Sequence, residues 1–319
     1  MNNCINDNSN LIDRRVLVTG AGGFLGSHVV DLLQQQGVKK VHGVMRSQCD
    51  LRDTSAVQEL FEAFDPEVVI HIAAAQGGVA WQQANQCTAF LDNAAMMEAL
   101  VATSIETNVS RFVFTASSIC YPAKANIPYQ EAALWDGPPE PAHWGYAHAK
   151  RGGIALLQSA HQQHGLGASV VMPANMYGPR ARFEPDRSNV VAATIRRCVE
   201  ARDQGQDSIT CWGSGQAIRE FLYVMDAAEG VIRAACRLEE PQPVNLGTGV
   251  ETTISQLVES VAEVVGFKGQ ILWDTDRPEG APRVCMDITQ LQEQLDWSPP
   301  TSLIEGLRAT VDWFESSKG

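Results

Sequence analysis

Apolar residues along this chain fall in short runs separated by stretches of helical spacing. Val16-Leu-Val-Thr19 leads into the glycine cluster Gly20-Ala-Gly-Gly-Phe-Leu-Gly26, and a helical pattern follows from Ser27 to Gln36. That order predicts strand, tight turn and helix, with Gly37 as the helix stop. Val41 to Arg46 reads as a second strand, and Thr54 to Phe64 as a helix halted before Asp65-Pro66. Val68 to Ala73 is a buried strand running into a Gly77-Gly78 loop. A long helix is expected over Thr88 to Thr107 and a further strand over Arg111 to Ala116. Strands alternating with helices predict a parallel sheet covered on both faces, with ligands at the carboxyl ends of the strands.

Residues 121 to 143 are rich in Pro and lack periodicity, which reads as a long functional loop. A helix over Trp144 to His164 ends at Gly165, and Ala168 to Met172 is another buried strand. Beyond Pro173 the pattern changes. Short strands at Ser208 to Trp212, Phe221 to Val224, Val244 to Leu246 and Gln270 to Trp273 are broken by loops. Helices are expected at Asn189 to Asp203, Met225 to Arg237, Thr253 to Val265 and Leu303 to Phe314. The expected class is α/β: a Rossmann-type doubly wound parallel sheet with a smaller α+β substrate lobe. Residues 11–175 are assigned mainly to dinucleotide binding and 176–319 mainly to substrate binding, the two interwoven.

Composition narrows the function. At 319 residues the chain can bury a large core, and its net charge of −13 argues against nucleic acid, which demands a basic face. An anionic nucleotide stays possible, since it needs only local Arg and Lys. The eight cysteines are scattered without a Cys-x-x-Cys pair, which points to reduced thiols in a cytoplasm rather than disulfides or a metal site. Met1 to Asn10 is polar and reads as a frayed tail rather than a signal peptide. No apolar run reaches the ~18 residues that suggest a membrane span.

The glycine cluster fails as G-x-G-x-x-G, because Leu25 occupies the last position. It fits T-G-x-x-G-x-x-G at Thr19, Gly20, Gly23 and Gly26. Such glycines let backbone approach a pyrophosphate, and the helix N-terminus adds free N–H groups. Gly20, Gly23, Phe24, Leu25 and Gly26 are therefore assigned to the cofactor. Tyr146-Ala-His-Ala-Lys150 puts a phenol and an ammonium on one helix face, where the Lys charge is expected to lower the Tyr pKa and yield a proton donor near neutral pH. Ser117, at a strand end, would bond the substrate oxygen beside Tyr146. Taken singly these are a glycine turn, a solvated helix face and a strand cap; their order on one βαβ framework favours a catalytic set. After the second strand stands Arg46 where an acidic residue would favour NAD, so NADP(H) is expected.

With these residues the chain resembles the extended short-chain dehydrogenases/reductases, and within them the GDP-L-fucose synthases. The resemblance runs from about Arg15 to Trp313. Its specific stretches are His71-Ile-Ala-Ala-Ala-Gln-Gly-Gly, Ser117-Ser-Ile-Cys-Tyr-Pro122, Met172-Pro-Ala-Asn-Met-Tyr-Gly-Pro179, Cys211-Trp-Gly-Ser-Gly-Gln-Ala-Ile-Arg-Glu-Phe-Leu222 and Asn245-Leu-Gly-Thr-Gly249. It implies that Ser117, Tyr146 and Lys150 form the reductase triad. It adds Asp50, Leu51, Ala73, Ala74, Tyr146 and Lys150 to the cofactor set. Ser118, Asn175, Arg197, Trp212 and Arg219 become sugar-nucleotide ligands, and a homodimer through the two long helices is implied.

The chain departs from that pattern where epimerisation is concerned. Ile119 stands at the family's catalytic Cys, with Cys120 one place later, and Asn189 stands at its catalytic His. Val284 replaces a diphosphate-binding Lys, with Arg283 beside it as a candidate substitute. Removing and returning a proton next to a ketone needs two ionisable groups. Glu184 and Asp186 lie on the same loop as Asn189. The expected activity is NADPH-dependent reduction of the C4 ketone of a nucleotide-linked, GDP-type 4-keto-6-deoxysugar. A complete epimerase-reductase and a non-catalytic dinucleotide sensor remain as alternatives, and no metal is expected.

Overall fold

The computed structural model describes residues 11–185, 188–277 and 280–317; the expected N-terminal tail and Asp186 lie outside the described residues. The first half runs β1 (Arg15–Thr19), α1 (Phe24–Gln35), β2 (Lys40–Val44), α2 (Thr54–Phe64), β3 (Val68–His71), α3 (Val79–Ala84), α4 (Gln86–Glu106), β4 (Arg111–Thr115), α5 (Trp144–His164) and β5 (Gly167–Pro173). The second runs β6 (Asn175–Tyr177), α6 (Val190–Asp203), β7 (Ser208–Trp212), β8 (Ile218–Arg219), β9 (Phe221–Tyr223), α7 (Val224–Arg237), β10 (Pro243–Leu246), β11 (Thr252–Thr253), α8 (Ile254–Val265), β12 (Gln270–Asp274), α9 (Thr289–Leu295) and α10 (Leu303–Ser316).

Six strands form one parallel sheet in the order β10-β5-β4-β3-β1-β2. Their unbroken apolar runs suit a sheet covered on both faces; every residue of β3 is buried. After β2 the chain crosses back over β1 to lay down β3, so the winding reverses between β1 and β3. A crevice opens at that reversal, outside the carboxyl ends of the strands. The strand expected at Val244 to Leu246 is β10, which pairs in parallel with β5 and so completes the large sheet.

Two apolar cores result. The larger packs α1, α4, α5 and α7 on the sheet, with Val224, Val231, Leu246 and Leu291 from the second half of the chain. The smaller joins α6, β7, α8 and α10 around Ile195, Val261, Leu307 and Phe314, where Phe183 stacks on Phe314 at 4.2 Å.

Sequence and structure differ in places with local causes. α1 begins at Phe24, before the expected Ser27, because Gly26 sits inside its first turn. β2 stops at Val44, and Met45 to Gln48 form a turn closed by Gln48 N donating to Met45 O. The loop at 121–143 carries short 3₁₀ turns at Glu131–Trp135 and Pro141–His143. α3, α9 and β6 are too short to show a periodic pattern. Among the described residues no helix is long and apolar enough to cross a membrane, and no cluster of His, Cys, Asp or Glu could hold a metal ion.

Candidate active site

The glycine turn closes directly on the end of β3. Gly20 has φ +72°, and a Cβ there would stand 2.8 Å from Ala73 N, so only glycine allows the two strand ends to approach this closely. A Cβ on Gly26 would collide with Gly20 O, which holds α1 tight against the turn. Gly23 caps α1 with no side chain. The first N–H groups of the helix are thus free of a side-chain cap and suit a pyrophosphate. Phe24 and Leu25 open the helix, Leu25 buried. Ala73 and Ala74 line the facing edge, both half-buried. This cradle fits a dinucleotide.

Arg46 is exposed on the turn after β2. Asp50 takes the Arg52 guanidinium at 2.6 Å and the Arg52 backbone N at 3.1 Å, and these bonds hold its carboxyl down at about 2. Leu51 is buried in the large core. Asp50 thus stands paired with Arg52, and Leu51 is held by packing.

The ends of β1 and β3 are riveted by Thr19. Its Oγ1 accepts from Ile72 N and Ala73 N, both at 3.2 Å, and so donates its proton to His71 Nδ1 at 2.8 Å. That fixes His71 as a neutral imidazole with the hydrogen on Nε2. Burial first, and the Lys150 charge second, depress its basicity.

Tyr146 and Lys150 lie one turn apart on α5, and both are buried. Lys150 Nζ donates to Thr115 O at 2.8 Å, at the end of β4, and sits 4.6 Å over the Phe114 ring and 5.7 Å over the Tyr146 ring. Burial brings the ammonium down to about 8. The sequence argument expected Lys150 to lower the phenol of Tyr146. In the structure burial instead pushes the phenol up, with the Cys120 sulfur as a lesser contributor.

Ser117 follows β4 and caps the single 3₁₀ turn Ser118–Cys120, its Oγ accepting from Ile119 N at 3.3 Å. This turn lies on α5: Cys120 Sγ donates to Ala147 O at 3.8 Å. Ser118 and Ile119 are half-buried, whereas Cys120 is sealed and its thiol is pushed up to about 11 by burial. Asn189 is the N-cap of α6: its Oδ1 accepts from Ala192 N at 3.0 Å and its Nδ2 donates to Met176 O at 2.9 Å. Glu184 is exposed.

The expected substrate ligands lie on the second half of the chain. Asn175 is exposed at the start of β6, opposite Phe221 in the β6–β9 pair. Arg197 on α6 reaches Cys211 Sγ at 3.6 Å, beside Trp212. Trp212 is 62% exposed, with the Arg277 guanidinium 5.2 Å from its ring. Arg219 is half-buried on β8 and donates to Ile218 O at 2.7 Å. Arg283 bridges to Ile218 of β8, and its guanidinium pairs with Glu251 at 2.6 Å.

Sequence reasoning passed over several residues that shape this site. Glu220, buried beside Arg219, accepts from the backbone N–H groups of Thr248, Gly249 and Met286 and joins three segments. Asn245 takes the Tyr121 hydroxyl at 2.7 Å and donates to Tyr129 O and Asp287 O. Arg151 is buried on α5. Its signal was a cation on the apolar stripe of Ala147 and Ile154.

Comparison with known proteins agrees with this geometry. Residues 16–247 match the NAD dependent epimerase/dehydratase family. A putative GDP-L-fucose synthase 2 of Arabidopsis thaliana is 37% identical over 300 residues, covering 94% of this chain and 91% of that one. The GDP-L-fucose synthase of Escherichia coli K12 is 35% identical over 310 residues, covering 94% and 96%. A GDP-L-fucose synthetase from Naegleria fowleri bound to NADP superposes with a TM-score of 0.86 at 25% identity, covering 96% of this chain and 95% of that one.

Proposed function

The chain belongs to the NAD dependent epimerase/dehydratase family, and from that premise we propose that it is an NADP(H)-dependent oxidoreductase that reduces the C4 ketone of a GDP-linked 4-keto-6-deoxysugar. The GDP-L-fucose synthases among its relatives support the GDP-sugar class, and the NADP-bound neighbour supports the cofactor. The observation that carries the reading is the α5 face. Lys150 is bonded at the end of β4, its charge acts on His71, and His71 is riveted through Thr19 to the glycine turn.

Bound NADPH supplies the hydride that reaches C4. Tyr146 gives its proton to the oxygen as the alkoxide develops, so a ketone gains hydride and proton to become an alcohol. The Ser117 hydroxyl holds that same oxygen. Lys150 holds the nicotinamide ribose and, while charged, stabilises the phenolate left on Tyr146. Gly20, Gly23 and Gly26 with the N-terminus of α1 hold the pyrophosphate, and Arg46 meets the 2′-phosphate.

A finer part of the proposal is that the enzyme reduces without efficient epimerisation. Ile119 has no ionisable group, and both ends of the Asn189 amide are engaged in capping α6. Cys120 is sealed against α5, with a thiol too weakly acidic to serve as a base at neutral pH. Oxidation of NADPH by GDP-4-keto-6-deoxymannose tests the reductase, and no turnover would leave only the sensor reading. Incubation in D₂O with substrate and oxidised cofactor tests the finer claim. The expected result is no enzyme-dependent deuterium at C3 or C5, and incorporation would restore the full epimerase-reductase. We also propose that a second copy covers the α4–α5 face, where Phe90, Leu91 and Leu156 are exposed.

A further inference from the structure

We propose that Arg151 is a positioning residue: its guanidinium clamps the turn that carries Ser117 onto α5 and so sets the Ser117 hydroxyl relative to Tyr146. The inference rests on the reductase reading of Ser117 and Tyr146 and adds a residue to it.

Arg151 is only 7% exposed and has no carboxylate partner among the described residues. Burying a guanidinium without a counter-charge is costly, so its bonds have to be good ones. Nε donates to Cys120 O at 2.8 Å, and Nη1 donates to Gly137 O at 2.8 Å. The Trp135 ring lies 5.8 Å away, and Nη2 is buried without a partner. The two carbonyls stand at opposite ends of one loop, whose neck is also tied by Ala123 N donating to Pro138 O at 3.0 Å. A planar fork with fixed donors can span both carbonyls at once; a flexible ammonium makes such a bridge less well.

The placement on α5 gives the clamp its consequence. Tyr146 and Lys150 form one i,i+4 strip of the helix; Ala147 and Arg151 form the adjoining strip. The first strip faces the proposed chemistry. The second holds the Ser117 turn, through Cys120 Sγ on Ala147 O and Arg151 on Cys120 O. Cys120 N donates back to Ser117 O at 3.0 Å, so the turn moves as a unit. A single helix therefore carries the proton donor and also fixes the group that holds the oxygen.

The test is a double-mutant cycle with Arg151→Met and Ser117→Ala, assayed on NADPH and GDP-4-keto-6-deoxymannose. Arg151→Met should lower kcat by about 10- to 100-fold, the range set by small misplacements of a catalytic group, and leave the Kd for NADPH unchanged. The double variant should be no slower than Ser117→Ala alone, because the clamp acts only through that hydroxyl. Arg151→Lys should recover part of the loss. Multiplying effects, or native kcat in Arg151→Met, would overturn the proposal. If Arg151→Met does not fold, the same cycle is run with Arg151→Lys.

A second readout needs no turnover. Cys120 is fully buried, so a thiol reagent followed by peptide mass spectrometry should leave it unlabelled in the native protein. Arg151→Met should speed its labelling while Cys198, in the smaller core, stays slow. Unchanged labelling of Cys120 overturns the clamp. An inactive native protein would instead sink the reductase reading, with the labelling still deciding the clamp.

Discussion

Tyr146, Lys150 and Arg46 carry separable parts of the proposed reaction, and each has its own signature. Tyr146→Phe removes only a hydroxyl, so turnover should drop by about 10²–10⁴-fold, the worth of general acid catalysis, while NADPH titration by fluorescence stays near native. Arg46→Ala should weaken NADPH by about 1.5–3 kcal/mol, a charge-assisted bond, and leave NADH little changed. Lys150 poses a different question, because it is buried and costs stability. In the unfolded chain its proton is held up to 10.5, and in the folded protein only to about 8. The unfolded state therefore binds the proton more tightly, and the native state is penalised fully below about 8 and no longer once pH passes 10.5. Lys150→Met should abolish activity yet stabilise the fold by about 1–2 kcal/mol at pH 7, after loss of its hydrogen bond is allowed for. In urea melts that gain should shrink between pH 7 and pH 9.5; a gain independent of pH would mean that the charge is not the cause.

Among the elements, α6 shows how a position with a catalytic counterpart in relatives becomes architecture. Asn189 closes the helix N-terminus with its oxygen and grips Met176 with its nitrogen. Asn189→Ala should cost about 1 kcal/mol of stability, as a lost N-cap does, and leave kcat for C4 reduction unchanged. A large fall in kcat with native stability would place Asn189 in the chemistry after all. α5 was legible in full, since its apolar spacing and the closing Gly165 mark both ends. α3 was not, because its six residues are too few to show a period and it is held by its neighbours. The glycine turn was legible as a motif, but its helix start was not. A helix beginning inside a glycine cluster has no propensity signal, and α1 can pack against the turn there only because Gly26 lacks the Cβ that would meet Gly20 O.

The whole chain interleaves its two cores, since β10 and α7 return from the second half to the large sheet. The exposed apolar residues of α4 and α5 form the surface on which a second copy is proposed. Light scattering should give a dimer for the native protein and a monomer for Leu156→Glu, with Leu156 now 36% exposed. A native monomer at micromolar concentration would remove that part of the proposal.

The sequence alone determined the parallel α/β class, the glycine cradle and the pairing of Tyr146 with Lys150. These depend on local pattern: short unbroken apolar runs, the 3.6-residue helical spacing, and the left-handed backbone that glycine permits. Only the tertiary structure decided that Asp50 and Arg283 are engaged by Arg52 and Glu251, that Cys120 is sealed, and that Asn189 caps a helix. It also decided that burial pushes the Tyr146 phenol up rather than down. Desolvation and partner choice depend on what packs from distant parts of the chain, and no local pattern encodes them.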